Sequence, residues 1–389
     1  MKSMEITGNR KTRQTITCFL ILFLLGLESG GFQISLLKIV ETVGLSSHLS
    51  GVLVSGQYGA IVIMPLLVGH FADRKGRCRV LSASCLVFAL GCAGMSVFQT
   101  FGSLFMCAFA IGSGYSVCES VSSALLGEIH EEKAGKYMNL SQCFFSLGAM
   151  AGPQLLELGR SYLGWNYQSL FLLCGIVGAV IGLGTLPEAR RDTVHTVQMS
   201  EQTSSPVRRE ILYLAVGFFV YTSLECGISY YLDGFVTTEL QCPEHAANIL
   251  SLFWMCMALG RLLCGLFYQY RKMILICSFL GAGCCLGLLL FFPCLPLGYF
   301  CFSLIGLSLA SVWPNLMSLG VESCPGYSAQ AAGILSTGGG IGAVAAPVFL
   351  GMVMDGAGLR LGFGGLGLLA VIGALICVQY YHRIRTLHE

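Results

Sequence analysis

Twelve stretches of nearly unbroken apolar sequence, each close to the length of a membrane crossing, fill most of this chain. A helix that spans the hydrocarbon core takes about 20 apolar residues. In hydrocarbon every backbone N–H and C=O must be satisfied within the segment, so such stretches are committed to helix. They run approximately over residues 15–40, 49–71, 80–98, 101–126, 137–158, 169–186, 211–235, 247–268, 273–292, 297–319, 329–354 and 362–381. The first is too long for the apolar region of a secretory signal and has no small-residue cleavage site behind it, so it reads as a retained helix. Charged residues make up 11% of the 389, against roughly 25% in a soluble domain. An ordinary globular protein is excluded, and the expected class is an all-α membrane protein of twelve transmembrane helices.

The lysines and arginines orient it. With the N-terminus placed in the cytoplasm, 18 of the 22 fall on that side, among them Arg10, Arg13, Arg74, Lys75, Arg77, Arg190, Arg191, Arg208, Arg209, Arg271, Lys272 and Arg383. Lys38, Arg160 and Arg360 lie near the opposite ends of spans, and Arg261 falls within one. The positive-inside rule then puts both termini in the cytoplasm of a multi-pass cell-membrane protein. The 19 cysteines lie mostly inside the apolar stretches without paired CxxC spacing, so they read as small packing residues and neither metal nor disulfide framework is expected.

Three internal echoes lie at nearly the same offset. Leu27-Glu28-Ser29-Gly30 is answered by Leu224-Glu225-Cys226-Gly227 at 197 residues, Gly148 to Pro153 by Gly342 to Pro347 at 194, and Gly69 by Gly265 at 196. Matches in register across one midpoint indicate a duplicated unit. The expected organisation is a tail over 1–14, a six-helix bundle over 15–186, a polar cytoplasmic linker over 187–210, a second bundle over 211–381 and a tail over 382–389. Parallel six-helix repeats about an axis along the membrane normal are the layout of major facilitator transporters, with the solute site between the halves near the midplane.

The segment after the second stretch, Gly69-His70-Phe71-Ala72-Asp73-Arg74-Lys75-Gly76-Arg77, resembles the loop signature of that superfamily. Gly69 permits close helix approach, Asp73 can accept bonds at a helix N-terminus, and Arg74 and Arg77 around Gly76 supply charge-assisted contacts at a gate. A loop that merely orients the protein would explain the charges but not the spacing. The second-half counterpart has Gln269 where the first half has Asp73, which makes it the electrostatically weaker copy.

Four ionisable residues sit well inside spans: Glu28, Glu119, Glu225 and Arg261. Each costs at least about 2.5 to 3.5 kcal/mol there and is a functional-site hypothesis by default. A carboxyl away from water favours its neutral form and can carry a proton if its exposure alternates. Around these residues, Gly26 to Phe32, Gly114 to Ser120, Asn139 to Pro153 and Phe218 to Gly227 resemble the fucose/proton symporter group and its glucose/galactose-transporting relatives. The resemblance implies proton coupling and sugar binding for Glu28 and Glu119, and a cavity-facing acid at Glu225, either a second titrating site or an acceptor for sugar hydroxyls. Each glutamate also has a packing reading, a bond to a neighbouring helix worth about 1 kcal/mol. Arg261 either pairs with a carboxylate or snorkels toward the cytoplasmic end, and it is grouped with the gate.

Sugars are held by hydrogen-bonding side chains and by rings against their less polar face. The candidates within spans are Gln57, Asn139, Gln142, Tyr221, Trp254 and Asn315, with Gln33 and Tyr58 beside them. An amide in a spanning helix needs a partner and turns away from lipid, whereas Trp254 and Tyr58 are equally consistent with packing. The pattern Gly148-Ala149-Met150-Ala151-Gly152-Pro153 also occurs in proton-driven drug antiporters, so an efflux antiporter stays open beside the symporter, with a non-transporting receptor or scaffold as a third reading. No nucleophile elbow, metal cluster or phosphate-cradling loop is present in the sequence. The expectation is a non-enzymatic monomeric transporter without cofactor, whose partners are a small sugar-like solute, protons and the bilayer, and not nucleic acid.

Overall fold

The computed structural model describes residues 8–130, 134–189, 209–264, 270–323 and 328–388, with the side chains of 8–9, 65–75, 124, 127–128, 134–136, 138–139, 189, 209–210, 264, 321–323, 328–333 and 383–388 outside the description. Helices follow one another almost without interruption: α1 (Gly8–Val43), α2 (Ser47–Lys75), α3 (Arg77–Val97), α4 (Phe101–Ile129), α5 (Ala134–Leu163), α6 (Tyr167–Ala189), α7 (Arg209–Thr238), α8 (Ala246–Cys264), α9 (Arg271–Phe291), α10 (Leu295–Leu309), α11 (Val312–Ser323), α12 (Ser328–Ala357) and α13 (Leu359–His388). α10 and α11 break at Ala310–Ser311 but make one crossing, Leu295–Gly320. Twelve crossings result among the described residues, and α1 begins and α13 ends at the same end of the bundle, called here the terminal end.

Ten crossings are apolar enough over their described residues to traverse a membrane; α2 and α5 are not among them. Both carry polar side chains into the bundle: α2 buries Ser50 and Gln57, and α5 buries Ser141 and Ser146, all nearly inaccessible. So placed, polar groups are not exposed to lipid. Several ends extend beyond the apolar stretches: α1 begins at Gly8, α13 runs to His388, and only Gly76, at φ +96°, separates α2 from α3. The loop signature therefore lies on two helix ends joined by one left-handed glycine. The linker residues 190–208 lie outside the described residues.

The repeat has a packing cause. A side chain on Gly26 or Gly30 of α1 would strike the Phe145 or Ala149 carbonyl of α5, and one on Gly148 would strike the Phe23 carbonyl of α1. In the second half, Gly338 and Gly342 of α12 meet the Ala215 and Phe219 carbonyls of α7 in the same way. Small residues one turn apart let two backbones touch, the main source of cohesion where lipid removes the hydrophobic drive. The Gly148 to Pro153 motif and its echo are thus one contact built twice. Pro153 and Pro347 both lie inside their helices.

The two six-helix halves meet chiefly along α2 with α12 and α5 with α8. Toward the end away from the termini, Gly51 faces the Pro347 carbonyl, and Gly351 faces the Ser47 carbonyl. Ser55 Oγ donates to the Val344 carbonyl at 2.7 Å, the His48 N–H to Asp355 Oδ2 at 3.1 Å, and Ser50 Oγ lies 3.3 Å from Tyr231 OH, which within the second half donates to the Pro347 carbonyl at 2.9 Å. Gln154 Nε2 of α5 reaches Asn248 Oδ1 at 3.0 Å and Ser251 Oγ at 3.2 Å near the start of α8. At the terminal end, Arg13 pairs with Glu188 at 3.0 Å and His130 bonds Thr15 at 2.9 Å, both within the first half. Among the described residues, α4 and α5 do not touch α10 or α11. The halves are closed against each other at the far end.

Candidate functional site

The three intramembrane glutamates are each met by a neighbouring helix. Glu28, 1% exposed in α1, accepts a bond from Gln57 Nε2 of α2 at 3.1 Å. Glu28 Oε1 and Gln57 Oε1 are buried without a hydrogen-bond partner, two acceptor oxygens left for a proton or a solute hydroxyl to satisfy. Glu119 of α4 accepts from Gln142 Nε2 of α5 at 3.2 Å. Glu225 of α7 faces Arg261 of α8, Nη2 to Oε1 3.4 Å, with both side chains largely buried. The first-helix acid is held by the second helix and the seventh-helix acid by the eighth, so the duplication extends to the polar groups.

Arg261 does more than neutralise Glu225. Its Nη1 donates to Ser146 Oγ of α5 at 2.7 Å and lies 3.4 Å from the Gln142 carbonyl. One guanidinium therefore ties an acid of its own half to a helix of the other half, beside the Gln142 side chain that holds Glu119. A planar cation with fixed donors suits this bridging, which an ammonium would not reproduce. The snorkelling alternative is not realised, and Arg261 belongs to the acid cluster.

A second link crosses the halves nearby. Trp254 Nε1 of α8 donates to Gln33 Oε1 of α1 at 2.8 Å, with Trp254 3% and Gln33 2% exposed. The indole also stands edge-on to Phe145 of α5, ring centroids 5.8 Å apart. Tyr58 of α2 packs edge-on against Tyr230 of α7, which does the same against Phe32 of α1. Tyr221, buried, lies one turn before Glu225 on the same face.

The other expected residues divide. Asn315 is buried in α11, a helix packed on α7 and α12, with its Nδ2 unpartnered; no hydrogen bond connects it to the glutamates. The Asn139 side chain and those of Gly69, Asp73 and Arg74 fall outside the described residues, as do Gly265 and Gln269. Gly76 is the hinge between α2 and α3, and Arg77 opens α3. Ser146 and Tyr230 were not anticipated. Ser146 had one signal, its spacing of four from Gln142, which puts both on one face of α5; Tyr230 in an apolar run had none.

A sequence profile described as Major Facilitator Superfamily matches residues 18–347. The chain is 29% identical over 215 residues to the 4-hydroxybenzoate transporter PcaK of Pseudomonas aeruginosa, a match covering 54% of this chain and 48% of that one, so it spans about half the length of that relative. It is 24% identical over 329 residues to the uncharacterized MFS-type transporter YfnC of Bacillus subtilis, covering 80% and 79%. A crystal structure of the nucleoside transporter NupG superposes with a TM-score of 0.80 over 95% of this chain and 100% of that one, at 14% identity, a likeness of fold.

Proposed function

The chain belongs to the major facilitator superfamily, and from that premise we propose that it is a secondary transporter that carries a small polar solute, a sugar in the first instance, together with protons by alternating access between its two halves. The observation that carries the reading is Arg261, bonded at once to Glu225 in its own half and to Ser146 in the other, beside the Gln142–Glu119 pair. When Glu225 takes a proton its hold on the guanidinium weakens, and the bridge to α5 changes with it. Protonation and the contact between halves are in this way the same event.

Glu28, Glu119 and Glu225 are the proton-coupling residues in this reading. Glu28 Oε1 and Gln57 Oε1 are buried acceptors for solute hydroxyls, and Gln142, Tyr221 and Trp254 border the same region between the halves. Tyr58 and Tyr230 supply aromatic faces. Asn139 and Asn315 are further candidates on α5 and α11, and the Gly69 to Arg77 signature is the terminal-end gate. The protein acts as a monomer in the cell membrane with both termini cytoplasmic, and requires no cofactor. The likeness to a 4-hydroxybenzoate transporter adds aromatic acids to the solutes worth testing.

Proteoliposomes decide the matter. Addition of a transported hexose should alkalinise the outside medium, and Glu119→Gln should keep pH-independent counterflow while losing accumulation driven by a proton gradient. If no hexose in a panel moves protons, the sugar assignment fails; if an aromatic acid or a lipophilic drug drives protons the opposite way, the chain is an antiporter.

A further inference from the structure

A cavity lies away from the acid cluster, at the far end of the first half, among α1, α5 and the start of α6. It encloses about 350 Å³ and is lined by Ser35, Lys38, Leu156, Arg160, Trp165 and Tyr167. The sequence builds its wall locally. α5 ends in a cap in which Gly164 is left-handed at φ +66° and the Trp165 N–H returns to the Gly159 carbonyl at 3.1 Å. That bond folds the chain back over the last turn of α5 and satisfies one of its terminal carbonyls, and it lays the indole against Gly159, where a side chain would collide with the ring. Asn166 then caps α6: its Oδ1 accepts the Ser169 N–H at 3.0 Å and its N–H reaches Ser169 Oγ at 3.4 Å. The cavity therefore opens beside a helix N-terminus whose cap is already satisfied.

Two hydroxyls in this wall have no protein partner. Ser35 Oγ and Tyr167 OH are buried and unpaired, with their residues 1% and 3% exposed. An unpaired buried hydroxyl costs about 1–3 kcal/mol, so the wall is incomplete as it stands. Two cations line the same cavity. Lys38 Nζ pairs with Glu41 at 3.1 Å and Arg160 with Glu157 at 3.4 Å, all four side chains about half exposed. Such pairs are worth little and exchange readily, and neither acid lines the cavity. The lining residues thus bring two unpaired buried hydroxyls, two half-exposed cations, and the apolar surfaces of Trp165 and Leu156 to one place, and these define the chemistry of an occupant.

We propose that this cavity is a binding site for an oxyanion, phosphate or carboxylate, carried on a small apolar body such as a single ring. Lys38 and Arg160 take the charge, Ser35 and Tyr167 donate to its oxygens, and the indole covers the body. The site is separate from the Glu28, Glu119 and Glu225 cluster and does not depend on the solute assigned to it. The same head could come from a free organic anion or from an anionic lipid of the adjacent leaflet.

Phenyl phosphate is the probe, with benzyl alcohol as the uncharged control, titrated against the full chain in phosphatidylcholine nanodiscs. Trp165 emission is obtained by subtracting the signal of Trp165→Phe. The expected result is a saturable change with phenyl phosphate and none with benzyl alcohol. Tyr167→Phe should weaken binding about fivefold, and Lys38→Gln, an exposed change that leaves folding alone, should weaken it at least as much. Replacing part of the lipid by phosphatidylglycerol separates the sources: competition identifies a headgroup and unchanged affinity a free anion, and both support the site. Absence of a saturable Trp165 response, equal binding of benzyl alcohol, or a Lys38→Gln titration matching that of the unaltered chain overturns it.

Discussion

Trp254→Phe tests the contact between the halves with little disturbance of packing. The change removes the N–H that donates to Gln33 Oε1 at 2.8 Å and keeps an aromatic ring facing Phe145. Gln33 is 2% exposed, so its carbonyl oxygen is left buried with one acceptor site open, at about 1–3 kcal/mol. Interhelical bonds in membranes measure lower, about 0.6 kcal/mol on average and about 1.7 at most. An interaction near 1 kcal/mol is therefore expected, enough to move the closed-to-open ratio of the far end by about fivefold. Trp254→Phe also loses volume, and a double-mutant cycle with Gln33→Leu removes that term. The assay is reversible unfolding in mixed detergent and SDS for the unaltered chain, the two single variants and the double variant. Each single change should destabilise, and the double variant should cost less than their sum by about 1 kcal/mol. Additivity to within about 0.3 kcal/mol would refute the bond and, with it, the seam described between α1 and α8.

Two further outcomes follow from the polar groups. Arg261→Gln leaves Glu225 buried without its cation and should cost about 3–5 kcal/mol, whereas Arg261→Gln with Glu225→Gln should recover most of it while abolishing proton-coupled transport, measured by unfolding and by flux in the same preparations. At the terminal end, burial and the nearby charge of Lys11 lower the pKa of His130 below its ordinary value. Its neutral form is therefore favoured when docked, and the undocked state binds more protons as the pH falls through the interval between the two values. Docking of His130 on Thr15 should thus be intact near neutrality and weaken as the pH falls below the ordinary imidazole value of about 6.5, read as faster hydrogen exchange at the start of α1, with the pH dependence absent in His130→Asn.

What the sequence made legible was whatever depends on local chemistry. Length and apolarity identified the crossings, and hydrocarbon's intolerance of unpaired amides singled out Gln57, Asn139, Gln142 and Asn315 as residues in need of partners; Gln57 and Gln142 donate to glutamates, whereas Asn315 Nδ2 is buried without a partner. The partners themselves could not be read. Arg261 reaches Ser146 across 115 positions and Trp254 reaches Gln33 across 221, separations at which periodicity carries no information. The choice between pairing and snorkelling for Arg261 was open for that reason. The Gly148 to Pro153 motif shows the opposite case: its residues were visible and their purpose was not, because a glycine fitted against a carbonyl of another helix looks the same in sequence as one fitted to any other task. The break between α10 and α11 had a local signal in Pro314, which has no N–H for the Ala310 carbonyl four residues earlier and whose ring crowds that carbonyl in a continuous helix.

The far-end seam between α2 and α12 has an antiparallel register in which Ser47 meets Gly351 and Gly51 meets Pro347, four residues apart on each strand of contact. Main chain lies on main chain there, so nothing between the helices can bend to absorb a partial displacement. A seam of this kind behaves as a latch with one notch: a slip by a single turn of about 5.4 Å would put a side chain where a glycine had been, and no half-closed position lies between. Under the proposed alternating access, the far end would then be either shut or open, whatever solute lies between the halves.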